Sequence, residues 1–163
     1  IAPGLMVSMA EIEVDLETGK YEILDYLGIA DCGTIIHPQG LSQQINGGAV
    51  WGFGMAGSEH YVYDPQNALP ANLGMYQAKL PTMLDVPAEM PNGAVDLPDP
   101  YNPAGGRGVG EPSQGSAVAA ITSAISDALN GHLFNRVPVT PDMIVNFAAN
   151  NEQEAKLLAL NTF

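Results

Sequence analysis

The stretch Asn102-Pro103-Ala104-Gly105-Gly106-Arg107-Gly108-Val109-Gly110-Glu111-Pro112, with the run Gln114 to Leu129 behind it, decides how this sequence is read. Its glycines and prolines make the first part a loop. The second, rich in Ala and Ile and stopped at Asn130-Gly131, reads as a helix. A glycine-rich loop that feeds a helix N-terminus allows three readings. A phosphate cradle is the first, but Glu111-Pro112 stand where a P-loop needs Lys and Ser/Thr, and no strand precedes the glycines as a dinucleotide fingerprint requires. The second is a plain tight loop with Glu111 as a first-turn acid favoured by the helix dipole. The third puts Glu111 in a buried pocket as a general base, with glycines that let a ligand approach the backbone while the helix holds the carboxylate still.

Upstream, Leu41, Ile45, Ala49 and Gly52 recur at helical spacing, so Leu41 to Ala56 reads as a helix. It carries Gly47, Gly48, Gly52 and Gly54, each costing about 1 kcal/mol against Ala in a helix interior. Something comes close to that backbone: a packed neighbour, the ordinary cause, or a ligand. Before it, Leu5 to Val14 and Tyr21 to Ala30 are rich in β-branched and aromatic residues, and Asp15 to Lys20 between them has the composition of a hairpin connection. Ile12 and Val14 alternate with Glu11, Glu13 and Asp15, which predicts one buried face and one acidic, wet face. Glu59 to Tyr63 reads as a further strand, and the proline-punctuated passage Asp64 to Pro103 as a wandering surface segment. Thr140-Pro141 opens a last helix, with a helical tail over Glu152 to Leu160. The fold expected is α+β, antiparallel strands with three to four helices, over residues 1–163 as one unit.

Composition narrows the function. The 163 residues are 46% hydrophobic with a net charge of −13, enough apolar content for a core and a charge that repels a phosphate backbone. Nucleic acid is therefore not an expected partner. Cys32 is the only cysteine, which excludes an internal disulfide and a cysteine-ligated iron–sulfur cluster within this chain. No run approaches the roughly 18 apolar residues that cross a bilayer, so no membrane is expected and a cytoplasmic location is. Ile1 leads straight into strand-like sequence, as though an upstream portion were missing. His37, His60 and His132 lack the spacing of a dedicated metal site. Trp51 and Phe53 read as core, and Arg107 either as a solvated loop charge or as a contact to an anionic neighbour.

Gly108-Val109-Gly110-Glu111-Pro112 ahead of an Ala-rich helix resembles the active-site signature of the xanthine dehydrogenase and aldehyde oxidase family of molybdenum hydroxylases. Gln43-Gln44-Ile45-Asn46-Gly47-Gly48-Ala49-Val50-Trp51-Gly52-Phe53-Gly54 resembles that family's Gly-Gln-hydrophobic-Glu-Gly-Gly/Ala segment. Further likenesses follow in order: Glu11 to Asp31 to the hairpin ending in Asp-x-Gly, and His37-Pro38 to the family's Asn-Pro. Tyr76 to Pro87 resembles its Tyr-Lys-Ile-Pro-Thr passage, and Val137 to Pro141 its closing Pro-Ile/Val-Thr-Pro. Two positions depart: Gln43 stands for a glycine and Asn46 for a glutamate.

The resemblance implies the C-terminal part of a molybdopterin-binding subunit, with Glu111 as catalytic base and with Gln44, Gly108, Val109 and Gly110 against a molybdenum-pterin cofactor shared with the missing upstream half. It implies no metal ligand from the chain itself. The activity implied is oxidative hydroxylation of an aldehyde or N-heteroaromatic carbon by water, with Glu111 activating the molybdenum-bound hydroxyl. [2Fe-2S] and FAD are then expected on partner domains or subunits, and the remainder of the subunit and a small-molecule substrate as partners. Two other readings stand beside it. One is a non-catalytic fragment or assembly module with an empty cofactor site, marked by exposed apolar surface where the missing half belongs. The other is a stand-alone acidic solute-binding domain.

Overall fold

The structure, a computed structural model, describes residues 4–151. Two long strands open it, β1 (Leu5–Val14) and β2 (Tyr21–Asp31), paired antiparallel through the turn at Asp15 to Lys20. Asp15 builds that turn: its carboxylate accepts from the Glu17 and Thr18 amides and the Thr18 hydroxyl, and Gly19 takes φ +70° to close it. A bulge between Glu11 and Ile12 shifts the register near the turn.

Helix α1 (Pro38–Gly57) follows, then a single turn α2 (Met75–Ala78), a short strand β3 (Asn92–Val95), helix α3 (Pro112–Ala128) and helix α4 (Pro141–Ala148). The sheet runs β1-β2-β3, and β3 is parallel to β2, so the sheet is mixed rather than wholly antiparallel. Four residues behind Pro91 are too few for a periodicity signal, which is why the sequence shows no strand there. Asn46 holds this strand in place: its amide donates to the Met90 carbonyl at 3.4 Å and its oxygen accepts from Asn92 at 3.1 Å.

The core lies between the sheet and the helices. Ile23, Tyr26, Ala49, Phe53, Ala117, Ile121, Ile125, Leu129, Val139 and Ile144 form it, with the ring edge of Tyr26 against Phe53. The Tyr26 hydroxyl shares a 2.7 Å hydrogen bond with Ser8, which donates on to Ser116 at 2.8 Å, so β1, β2 and α3 are joined by hydroxyls. Helix α3 ends as its sequence predicts: Asn130 and Gly131 adopt positive φ, and the Gly131 amide reaches back to the Ser126 carbonyl.

Several expectations need correction. Glu59 to Tyr63 is not a strand. Its backbone turns back on Leu69 to Ala71 through an isolated bridge between Tyr63 and Pro70, and among the described residues no strand lies alongside to extend it. Trp51 is 48% exposed rather than core, because α1 turns that face away from α3, whereas Phe53 is buried as expected. The outer face of β1 is acidic only at Glu11 and Glu13; Leu5, Val7 and Met9 continue it as exposed apolar surface. Helix α1 begins earlier than its periodicity indicates, at Pro38, with the His37 ring nitrogen accepting the Gly40 amide at 2.7 Å. Helix α4 starts at Thr140-Pro141 as read, and the tail proposed for Glu152 to Leu160 lies outside the described residues.

Candidate functional site

Helices α1 and α3 pack so closely that two of the α1 glycines are explained by packing alone. A Cβ on Gly52 would stand 2.6 Å from the Gln114 carbonyl oxygen and 2.7 Å from the Ala117 methyl, and one on Gly48 would collide with the Ser113 hydroxyl. Gly54 likewise meets Pro81 and Glu59. Gly47 is different: a Cβ there would meet nothing within 4 Å, and it shares its exposed helix face with Gln43 and Gln44.

The same contrast recurs in the glycine-rich loop. Up to Arg107 the loop is tied down. The Gly105 carbonyl accepts from both Thr34 and Asp99 at 2.8 Å, Asn102 donates to the Gly106 carbonyl at 2.6 Å, and the Arg107 amide donates to the Cys32 carbonyl at 2.7 Å. The Arg107 guanidinium binds Asp31 at 2.8 Å and Asp99 at 2.9 Å, which answers the question its sequence position left open: its neighbours are anionic and belong to the chain. The Tyr101 amide and then Arg107 hold the Asp99 carboxyl below the usual carboxylate range. Beyond Arg107 the support stops. Among the described residues the amides of Gly108, Val109 and Gly110 have no hydrogen-bond acceptor, and a Cβ on Gly108 or Gly110 would meet nothing within 4 Å.

Glu111 occupies the N-cap position of α3, one residue outside the first turn in which the dipole reading put it, and its side chain makes no capping hydrogen bond. It is exposed, contrary to the buried pocket expected. Two residues on, the Ser113 hydroxyl donates to the Gln44 carbonyl at 3.2 Å and fixes the start of α3 against α1. Gln44 and Val109 both line a cavity of about 170 Å³, with Cys32, Thr34, His37 and Leu41 around them. Burial pushes the Cys32 thiol up, so it stands there as a neutral group. Of the expected site residues the cavity brings together Gln44 and Val109; Gly108 and Gly110 flank Val109 in the chain and Glu111 follows them, but these three do not line it.

The open glycine surfaces, the free amides and the uncommitted carboxylate fit a bulky polar group such as a pterin cofactor, because nothing among the described residues fills the space they face. Sequence reasoning missed Ser113, Asp31 and Asp99 as supports. Asp31 was visible in the Asp-x-Gly motif, but its pairing with Arg107 across 76 positions carries no local signal.

A larger groove, about 1240 Å³, lies elsewhere, between the β1–β2 turn and the Leu80 to Ala88 segment. Burial, and after it Asp85, pushes the Tyr21 phenol there up to about 12. Met75, Tyr76, Met83 and Leu84 are exposed around it. Gln44, Gly108, Val109, Gly110 and Glu111 do not line it, and we place the candidate chemistry with them. Among the described residues no helix is long and apolar enough to cross a membrane.

A family described as the molybdopterin cofactor-binding domain matches residues 3–87, the part that carries Gln44 but not Glu111. The gamma subunit of the 6-hydroxypseudooxynicotine dehydrogenase complex of Paenarthrobacter nicotinovorans is 35% identical over 85% of this chain and 17% of its own length. The putative xanthine dehydrogenase molybdenum-binding subunit of Escherichia coli is 30% identical over 85% of this chain and 18% of its own. Among solved structures, quinoline 2-oxidoreductase from Pseudomonas putida 86 superposes with a TM-score of 0.79 at 32% identity, over 85% of this chain and 18% of that one. Aldehyde oxidoreductase from Desulfovibrio gigas gives 0.79 at 30%, over 90% and 15%. The chain therefore spans less than a fifth of the length of these relatives. With the family match over half of the sequence and these likenesses over most of it, the chain belongs to the molybdopterin cofactor-binding domain family of the xanthine dehydrogenase and aldehyde oxidoreductase type.

Proposed function

We propose that this chain forms one wall of a molybdenum-pterin site in a molybdenum hydroxylase, and that Glu111 is its catalytic base. One observation supports the reading: Gln44 and Val109 line one cavity, and beside Val109 the glycine faces of Gly108 and Gly110 and the amides of Gly108 to Gly110 are occupied by no described residue. The Gln44 side chain and the free amides of Gly108 to Gly110 hold the cofactor by hydrogen bonds, and the missing Cβ atoms let it approach the backbone.

When bound, the cofactor supplies the two-electron oxidant and the oxygen nucleophile derived from water. The net change at an aldehyde or N-heteroaromatic carbon is C–H plus H2O to C–OH, two electrons and two protons. A Glu111 carboxylate oxygen takes the first proton as the new C–O bond forms. General-base assistance of this kind contributes about 10²–10⁴-fold. Being committed to no cap and no ion pair, the Glu111 side chain is free to make that transfer. The upstream part of the subunit closes the pocket and excludes water, and the electrons leave through [2Fe-2S] and FAD groups on partner domains or subunits, since this chain's lone Cys32 cannot hold a cluster.

A second reading, a non-catalytic fragment or assembly module with an empty cofactor site, is favoured by the exposed apolar surface on the outer face of β1 and around Met75 to Leu84. Molybdenum content separates the two. In the assembled enzyme, near-stoichiometric molybdenum with iron–sulfur and flavin partners supports the catalytic reading, and a lone 17.1 kDa chain without molybdenum supports the fragment. Glu111→Gln in the assembled enzyme is expected to leave folding and molybdenum intact and to abolish turnover; retained turnover would overturn the assignment.

A further inference from the structure

We propose that Arg107 is a positioning residue for the cofactor-facing loop, holding Gly108 to Gly110 through its paired contacts to Asp31 and Asp99. The cofactor side of this inference rests on the function proposed above; the anchoring of the loop does not.

The geometry runs from both ends of the loop. On the N-terminal side Arg107 is fixed three ways: its amide to the Cys32 carbonyl at 2.7 Å, Nη1 to Asp31 at 2.8 Å and Nε to Asp99 at 2.9 Å. The two carboxylates come from unrelated places, the end of β2 and the segment after β3, so one guanidinium joins three stretches of chain. Its side chain is only 20% exposed and that of Asp99 only 8%, so the bonds are sheltered from water and directional, as a planar fork with several donors allows. Asp99 in turn holds the Tyr101 amide at 2.9 Å. On the C-terminal side, Ser113 anchors the start of α3 on α1.

Between these anchors Gly108, Val109 and Gly110 have no hydrogen bond of their own among the described residues. Three residues of free backbone, two of them glycine, have too many conformations to hold one set of amides in place unaided. Their placement therefore comes from the ends. Removing the guanidinium would free one end and leave the buried Asp99 and the partly buried Asp31 carboxylates without their shared cation.

The test compares Arg107→Ala, Arg107→Lys and Asp99→Asn in the assembled holoenzyme. Amide hydrogen exchange is followed in the peptide covering Gly105 to Glu111 and in the α3 segment around Ile121 to Ile125, together with molybdenum per subunit, kcat and KM. Expected for Arg107→Ala is loop exchange faster by about tenfold with α3 protection unchanged, as for a local opening that costs less. Bound molybdenum falls and kcat drops more than KM changes. Arg107→Lys, which keeps the charge but not the fork, restores part of each. If Arg107→Ala also lowers α3 protection, Asp99→Asn decides: faster loop exchange with α3 intact supports the inference, and unchanged exchange overturns it. Unchanged loop exchange and molybdenum in a folded Arg107→Ala likewise overturn it. Failure of the base assignment is distinguishable, since a fully active Glu111→Gln enzyme would leave the exchange result standing.

Discussion

Gly47 and Gly52 sit five residues apart on one helix and do opposite things. Gly52 is filled from outside: the Gln114 carbonyl and the Ala117 methyl of α3 occupy the place of its side chain. Gly47 faces open space beside Gln44. The first belongs to the seam between α1 and α3, the second to the exposed helix face that carries Gln43 and Gln44. Packing, one of the two alternatives the sequence leaves for this glycine-rich helix, accounts for Gly52, and no described residue accounts for Gly47.

The seam is part of the core, so the largest effect is expected where core and seam share a residue. Ile121 is fully buried on α3. Ile121→Ala is expected to destabilise the chain by about 2–5 kcal/mol through lost burial and the cavity left behind, measured by urea denaturation. A loss below about 1 kcal/mol would mean that this core contributes little of the stability. Next comes Gly52→Ala, a change of one methyl against atoms that cannot move aside. Overpacking of about 1–3 kcal/mol outweighs the roughly 1 kcal/mol that Ala gains over Gly in a helix. A stabilised Gly52→Ala variant would show that the seam is looser than its contacts indicate.

How much of this was legible in the sequence follows the same division. β-Branched and aromatic content beside a hairpin connection placed β1 over Leu5–Val14, and capping chemistry placed the end of α3 at Asn130-Gly131, because both signals are local. The candidate site was legible only through resemblance: Gln44 and Glu111 are far apart in sequence, and no spacing rule joins them. What was not legible is what depends on contacts. The strand β3 owes its place to Asn46, Met90 and Asn92, and Glu59 to Tyr63 fails as a strand for want of a neighbour despite suitable residues. The exposure of Trp51 depends on which way α1 faces α3.

A smaller effect is expected at the hydroxyl chain that ties the sheet to α3 beside the seam. Ser8→Ala removes a bond shared with the buried Tyr26 hydroxyl and a second to Ser116. Burial pushes the Tyr26 phenol up, and the two serines act against that shift, so the variant is expected to raise it further. Stability is expected to fall by about 1 kcal/mol, the net worth of a typical internal hydrogen bond. Ultraviolet titration of Tyr26 checks the first effect and thermal melting the second.

The smallest effect has the opposite sign and tests the exposed face of α1 most sharply. Gly47→Ala puts a methyl into space that no described residue occupies, in the interior of a 20-residue helix. Packing opposes it nowhere, so the chain is expected to gain about 0.5–1 kcal/mol from the restricted unfolded state and better helix propensity. In the assembled enzyme the same methyl would intrude between the helix and the cofactor proposed to lie against Gln44, so bound molybdenum is expected to fall while the chain itself grows more stable. Gain in one measurement and loss in the other would mean that Gly47 is glycine for the sake of a ligand. Stabilisation with unchanged molybdenum would move the cofactor contact off α1 and onto Gly108 to Gly110 alone, and destabilisation of the chain would return Gly47 to the seam.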